Sequence, residues 1–447
     1  MPKASATPRP AAIESGLRLG ERLRQLRVAA GMTQTDLAGE RFSKEYVSQI
    51  ERGKTRPTAE TVEWLAQRLG VDAGFLANGV STDERGRVDA SLARAEALLE
   101  ARRNPEAVEA FADLHSAVLA TGLPELEVRL LAGEATARVR EGEVREAIEL
   151  LNRARHLSEG PEFSDVERAD VLFRLGMARF RLSSVQTAIN LFDEALKLAE
   201  ASQLPSDHLR SNILAWRSRC YQRRRDLEAA REDVERALEL AEGLNDRRTT
   251  ADIFFTASAI ADREGKWVLA RSYAERAKAL YEELEDRRTL GRLMNNLGGL
   301  NFLLGHPDEA ESILKDAFRI ALEVGNDEGA AHAVNSLAQV HLRTGDVTRA
   351  EEQARHALQL LEGRVDYLDE IGNAQLVLGR SLLEQDRLDE CETAFRAAEE
   401  AFDQLSSGSH RAAAWVAQGD LATKRGDHAL AARLYRTAAE ALQDVRF

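Results

Sequence analysis

Small and bulky apolar residues recur along this chain in a fixed order. Ala107, Ala147, Ala188, Ala230, Ala270, Ala310, Ala350, Cys391 and Ala431 follow one another at intervals of 40 to 42 residues. Four positions after each stands a second apolar residue: Phe111, Leu151, Phe192, Val234, Ala274, Leu314, Ala354, Phe395 or Tyr435. Three beyond that lies a third, alanine in all but the first copy. An i, i+4, i+7 set is one face of an α-helix, and its small members let a second helix come close. That second helix lies upstream, where Ala135, Gly176, Ser218, Ser258, Gly298, Ala338, Gly379 and Gly419 form another small-residue column. Between the columns, five residues before each leading small residue, is a turn position. It holds glycine at Gly142, Gly265, Gly305, Gly345 and Gly426. Each period therefore reads as a helix hairpin, and about nine copies in series predict an all-α array over residues 88–447.

The first 79 residues have a different rhythm. Leu17, Leu19, Leu23 and Leu26 are spaced for a helix, with Arg18, Arg22, Arg24 and Arg27 on its other faces and Gly31 ending it. Thr33 and Asp36 make a variant capping box for a short helix carrying Leu37 and Ala38, and Ser43 can N-cap the next one. In that next helix Val47 and Ile50 face inward, which leaves Lys44, Glu45, Tyr46, Ser48 and Gln49 to solvent. Gly53 ends it. Pro57 and Thr58 open a fourth helix with Val62, Leu65 and Leu69 inside, and Leu76 closes a five-helix bundle over residues 17–79. Residues 1–16, with Pro2, Pro8 and Pro10 among Ala, Ser and Thr, read as a flexible arm, and residues 80–87 as a linker.

Charge sharpens this division. The chain carries −14 overall, yet residues 1–80 hold 12 Lys+Arg against 9 Asp+Glu. A positive head on an acidic body approaches DNA head first. The two cysteines, Cys220 and Cys391, sit at small-residue positions and not at metal-ligand spacing, which suits a reducing cytoplasm. No uninterrupted apolar run is long enough to span a bilayer. Phosphate loops, HExxH, GxSxG and clustered metal ligands are all missing from the pattern, so the expectation is a protein that is not an enzyme and needs no cofactor or metal.

The run TQTDLAGERFSKEYVSQIERGKTRP, residues 33–57, resembles the phage-repressor-like (XRE) helix-turn-helix family. The resemblance rests on Gln34, Leu37-Ala38, the Ser43 cap, Val47, Ile50 and the Ile50–Lys54 run with Pro57. One departure is a turn, Gly39 to Ser43, about one residue short of the family's pattern, with Phe42 as its apolar residue. The resemblance implies a recognition helix over 44–52 lying in the major groove. Lys44, Glu45 and Gln49 would then meet base edges, with Tyr46 and Ser48 beside them. Gln34, Ser43, Arg52 and Lys54 would hold phosphates.

The array resembles tetratricopeptide (TPR) repeats, most clearly at 293–318 and 332–358. Its period exceeds the usual ~34 residues, so either the helices or the connections are longer. The resemblance implies a right-handed α-solenoid whose first helices line a concave groove accepting a peptide or a partner protein. By the TPR pattern Asn212, Arg219, Gln222, Asn295, Asn335, Gln339, Asn373 and Arg380 point into it. An amide both donates and accepts, as clamping a peptide backbone requires, and Asn295 and Asn335 hold the same slot in adjacent repeats.

Head and body together look like the RRNPP-type regulators, in which a peptide signal bound by the repeats alters DNA binding. That implies a cytoplasmic homodimer on a two-fold symmetric double-stranded DNA operator. The other reading is a TPR docking scaffold whose head serves protein contact or dimerisation.

Overall fold

The computed structural model describes residues 19–79, 81–244, 246–364, 366–405 and 408–444. Leu17, Arg18 and the expected arm over 1–16 lie outside them. The helices of the head are α1 (Leu19–Ala29), α2 (Gln34–Ala38), α3 (Lys44–Glu51), α4 (Ala59–Leu69) and α5 (Ala73–Asn78). Those of the body are α6 (Thr82–Glu100), α7 (Asn104–Thr121), α8 (Pro124–Glu141), α9 (Val144–Leu157), α10 (Asp165–Arg181), α11 (Val185–Ala201), α12 (Asp207–Arg223) and α13 (Leu227–Glu242). They continue as α14 (Arg247–Arg263), α15 (Trp267–Glu283), α16 (Arg287–Leu303), α17 (Pro307–Glu323), α18 (Asp327–Thr344), α19 (Val347–Leu360), α20 (Leu368–Glu384), α21 (Leu388–Gln404), α22 (Gly408–Lys424) and α23 (His428–Asp444). No strand occurs among the described residues. Two compact units result, residues 1–220 and 221–447.

In the head, Leu23, Leu26, Leu37, Val47, Ile50, Leu65 and Leu76 are buried together in one core. This is the set that helical spacing selects. Thr33 caps α2 in a reciprocal box with Asp36, and Ser43 caps α3 by accepting from the Tyr46 N–H at 3.1 Å. Phe42 of the short turn packs on Tyr46 and, edge to face, on Trp64, with centroids 5.3 and 5.1 Å apart. The segment 80–87 is a correction: from Thr82 it is helical. Ser81 accepts the Glu84 N–H, and Asp83 and Glu84 place negative charge in the first turn. The Asp72 carboxylate, which caps α5, also takes the Thr82 N–H at 2.9 Å, so head and first repeat helix meet through a shared cap.

In the body the two small-residue columns fit one another by size. Where the second helix carries Phe192, Leu314, Phe395 or Tyr435, the first carries glycine. A Cβ on Gly176 would lie 2.5 Å from the Phe192 ring, on Gly298 2.6 Å from Leu314, on Gly379 2.4 Å from Phe395, and on Gly419 2.6 Å from Tyr435. Where the second helix carries Ala354, the first affords room for Ala338, and both are fully buried. The turn between columns is equally uniform. Arg102, Gly142, Ser183, Arg225, Gly265, Gly305, Gly345, Asp386 and Gly426 all take positive φ, between 57° and 90°. A left-handed residue is required there whatever the side chain, and glycine meets it at least strain. The extra length of the period lies in the helices. α16 and α17 have 17 residues each, while their connections, 304–306 and 324–326, are short.

Adjacent glycines of α16 separate packing from propensity. Gly298→Ala is expected to lower the stability of the 221–447 unit by about 1–3 kcal/mol, because Leu314 must move. Gly299→Ala meets nothing within 4 Å. It should leave stability unchanged or raise it by about 0.5–1 kcal/mol. Urea denaturation of the full-length variants checks the pair, and equal effects would remove the column as the determinant of hairpin packing.

Candidate nucleic-acid interface and ligand groove

α3 is held from behind and open in front. Val47 and Ile50 are buried, and Glu51, also buried, fixes the helix to its neighbours. Its carboxylate takes the Arg27 guanidinium of α1 at 2.5 and 3.1 Å and the Gln34 amide of α2 at 2.7 Å. Burial works against this charge, but the bonds from Arg27 and Gln34 outweigh it and hold the carboxyl below its ordinary range. On the outer face Ser43, Lys44, Glu45, Gln49, Arg52 and Lys54 are exposed, and Ser48 is half-buried. Gln49 accepts from the Thr55 hydroxyl at 3.0 Å, leaving its N–H groups outward. Tyr46 is half-buried against Phe42. Gln34 is half-buried too, with one amide N–H committed to Glu51 and the other available. The Arg27–Glu51–Gln34 link joins residues far apart along the chain and has no sequence signal of its own.

In the 221–447 unit the first helices α14, α16, α18 and α20 line two clefts that share Asn295 and Asn296. The smaller, about 390 Å³, is bounded by Gln222, Ser258, Asp262, Arg263, Leu303 and Ser336 besides the shared pair. The larger, about 480 Å³, adds Phe255, Arg288, Arg292, Glu328, His332 and Glu370. Asn295 is 8% exposed, and its Oδ1 has no partner. Asn335, at 3%, has the same orphaned oxygen, and its Nδ2 donates to Glu370 at 3.4 Å. Glu370 in turn binds His332 Nδ1 at 2.7 Å. Burial opposes the imidazolium, yet Glu370 prevails and raises His332 above the usual histidine range.

The remaining expected groove residues are dispersed. Gln339 and Arg380 are exposed, and Asn373 is half-buried. Arg219 lies over the Trp216 ring, 4.7 Å from its centroid. Asn212, in the 1–220 unit, lines a separate cleft and donates to the His208 carbonyl at 3.0 Å. That cleft satisfies itself: Arg129 bridges Glu96 and Asp89, and Arg174 binds Asp170 and Thr136. Arg288, Arg292 and Asn296 were missed, although their spacing on the Asn295 helix places them beside it.

Among the described residues no helix is long and apolar enough to cross a membrane. Residues 18–78 match a helix-turn-helix domain family. Residues 167–243, 249–323, 289–363 and 376–444 match tetratricopeptide repeat families. The HTH-type transcriptional regulator DdrOP3 of Deinococcus deserti is 42% identical over 65 residues, 14% of this chain and 50% of that protein. This chain thus spans half the length of that relative. The uncharacterized HTH-type transcriptional regulator y4dJ of Sinorhizobium fredii is 43% identical over 54 residues, 12% of this chain and 70% of that protein. Among solved structures, apo RapI superposes with a TM-score of 0.62 at 13% identity, over 80% of this chain and 98% of that one. The apo quorum sensor NprR of Bacillus thuringiensis gives 0.61 at 10%, over 80% and 99%. At these identities the likeness is one of fold.

Glu51→Gln is expected to cost the head about 1.5–3 kcal/mol through the lost charge-assisted bonds. Because the folded carboxyl titrates below its unfolded value of about 4.3, this stabilisation is complete at neutral pH. It is lost as pH falls through the folded value. Hydrogen exchange at the Ile50 amide should show an acid-dependent loss of protection in the wild type that the variant lacks. The same pH dependence in both would exclude Glu51 as its source.

Proposed function

Because the chain belongs to the helix-turn-helix transcriptional regulators, we propose that it binds operator DNA through α3 and adjusts that binding through a short peptide held by its tetratricopeptide repeats. The DNA reading is carried by one observation: α3 is capped, pinned from behind by Glu51, and presents Lys44, Glu45 and Gln49 to solvent. Lys44 donates to guanine, Glu45 accepts from cytosine and Gln49 pairs with adenine. Ser43, with its hydroxyl hydrogen still free to donate, Arg52, Lys54 and the remaining Gln34 N–H take phosphates. Tyr46 and Ser48 flank them.

For the body, support comes from two buried amide oxygens without donors, Asn295 Oδ1 and Asn335 Oδ1, in the same slot of successive repeats. An unsatisfied buried acceptor costs about 1–3 kcal/mol, and an extended peptide backbone supplies N–H groups that relieve it. RapI and the quorum sensor NprR share the fold. Two copies of the chain pair on a two-fold operator, with half-sites about 34 Å apart or a multiple of it. The protein works in the cytoplasm, where Cys391 stays a buried thiol whose ionisation burial pushes up to about 11. No catalytic step is assigned to it.

Selection of duplexes from a random pool by the full-length protein should return a two-fold symmetric motif. Gln49→Ala is then expected to relax preference at one position, at about 1–3 kcal/mol. Lys54→Ala should weaken all sequences alike and flatten the salt dependence. A pool without sequence preference at moderate salt would sink the DNA reading in favour of a docking scaffold. For the groove, a synthetic mixture of random heptapeptides is captured on the full-length protein and read by mass spectrometry. The Asn295→Ala/Asn335→Ala variant should keep or gain stability while losing capture; equal capture would refute the peptide reading.

A further inference from the structure

Arginines in the 221–447 unit are mostly spoken for. Arg231 meets Glu264 at 2.9 Å, Arg248 meets Asp286 at 2.7 Å, Arg387 meets Glu351 at 2.8 Å, and Arg287 pairs with Glu323. Such pairing is the expected state on a body whose acids outnumber its bases. Arg288 and Arg292 depart from it. They stand four residues apart on α16, both exposed, both lining the larger cleft, and among the described residues neither makes a salt bridge or hydrogen bond. The Arg292 guanidinium lies over the Phe255 ring, 5.8 Å from its centroid, which holds it on the cleft wall. One turn further along the same helix is Asn295, more than nine-tenths buried, with an acceptor that nothing among the described residues satisfies. Glu328 and Asp369 stand among the residues contributed by the facing helices α18 and α20.

We propose that the ligand in this groove carries a carboxylate that seats against Arg288 and Arg292, with a neighbouring backbone N–H donated to Asn295 Oδ1. This rests on the peptide reading given above and narrows it to a chemical class. Two guanidiniums one helical turn apart present several donors to one anion and bind a carboxylate more strongly than a neutral acceptor. The acids of the opposite wall repel a second negative charge, so the carboxylate is confined to the α16 side and fixes the direction of the chain. The carboxylate belongs either to an Asp or Glu side chain or to a free C-terminus; the chemistry at the arginines is the same.

Two synthetic random heptapeptide mixtures, one ending in the free acid and one in the amide, are captured on full-length wild type and on Arg288→Gln/Arg292→Gln. Both positions are exposed, so the fold is expected to hold, and circular dichroism checks it. The wild type should enrich carboxylate-bearing peptides. Retention of that enrichment after amidation identifies an acidic side chain, and its disappearance identifies the C-terminus. The double variant should lose about tenfold or more in capture of the enriched peptides, with partial recovery in Arg288→Lys/Arg292→Lys. Capture by the wild type without preference for a carboxylate, or equal capture by the glutamine variant, overturns the proposal while leaving a peptide groove standing. Capture of no peptide in either mixture overturns both.

Discussion

The close approach of the two helices in each hairpin is the constraint from which the body follows. Where Phe192, Leu314, Phe395 or Tyr435 points across, the facing residue is glycine, and a single added carbon would lie well inside van der Waals contact. The left-handed turn residue sets how the chain re-enters the second helix, and the size match sets how near that helix comes. Both recur at one period, so within each unit a first helix is placed like the one before it. Equivalent slots, such as those of Asn295 and Asn335, therefore hold equivalent buried amides.

What the sequence made legible was periodic or local. The hairpin count, the turn positions, the Thr33–Asp36 box, the Ser43 cap and the inward pair Val47 and Ile50 all follow from spacing along one helix or its ends. What it concealed depends on partners distant in the chain. Gln34 was expected on a phosphate, and nothing within its own helix announces that Glu51 claims one of its two N–H groups. Asn212 and Arg219 satisfy the repeat pattern as well as Asn295 does, yet the first bonds a carbonyl one turn back and the second covers Trp216. Arg288 and Arg292 were invisible for the opposite reason, since lacking a partner is a property of the surroundings. The segment after Val80 was read as linker from its polarity, and the same Ser81, Asp83 and Glu84 are good residues for opening a helix.

The two clefts of the 221–447 unit and the cleft of the 1–220 unit differ in what their polar groups have found. In the latter, Arg129 and Arg174 are occupied by carboxylates and a hydroxyl. In the larger of the former, the Asn295 oxygen and the Arg288 and Arg292 guanidiniums have no such partner among the described residues. Leaving acceptors buried and unmet lowers the stability of the unliganded body, so a ligand that meets them is bound with the return of that loss. Under the proposed function the same residues would act twice, as a local weakness when the groove is empty and as a source of affinity when it is filled.

The head is not joined to the first repeat helix by a loose tether. Asp72 caps α5 through the Phe75 N–H and at the same time takes the N–H of Thr82, the first residue of α6. Within the head, the Arg22 side chain donates to the carbonyls of Leu76 and Ala77 at the end of α5. The contacts thus run from α6 to α5 and through Arg22 to α1, whose Arg27 binds Glu51 of α3. Each step is a charge-assisted bond between helices, which transmits position better than a flexible linker does. For the proposed peptide, the energy available to such a route would be bounded by its differential affinity for two states of the head. A peptide that binds both equally would fill the groove and leave the DNA affinity where it was.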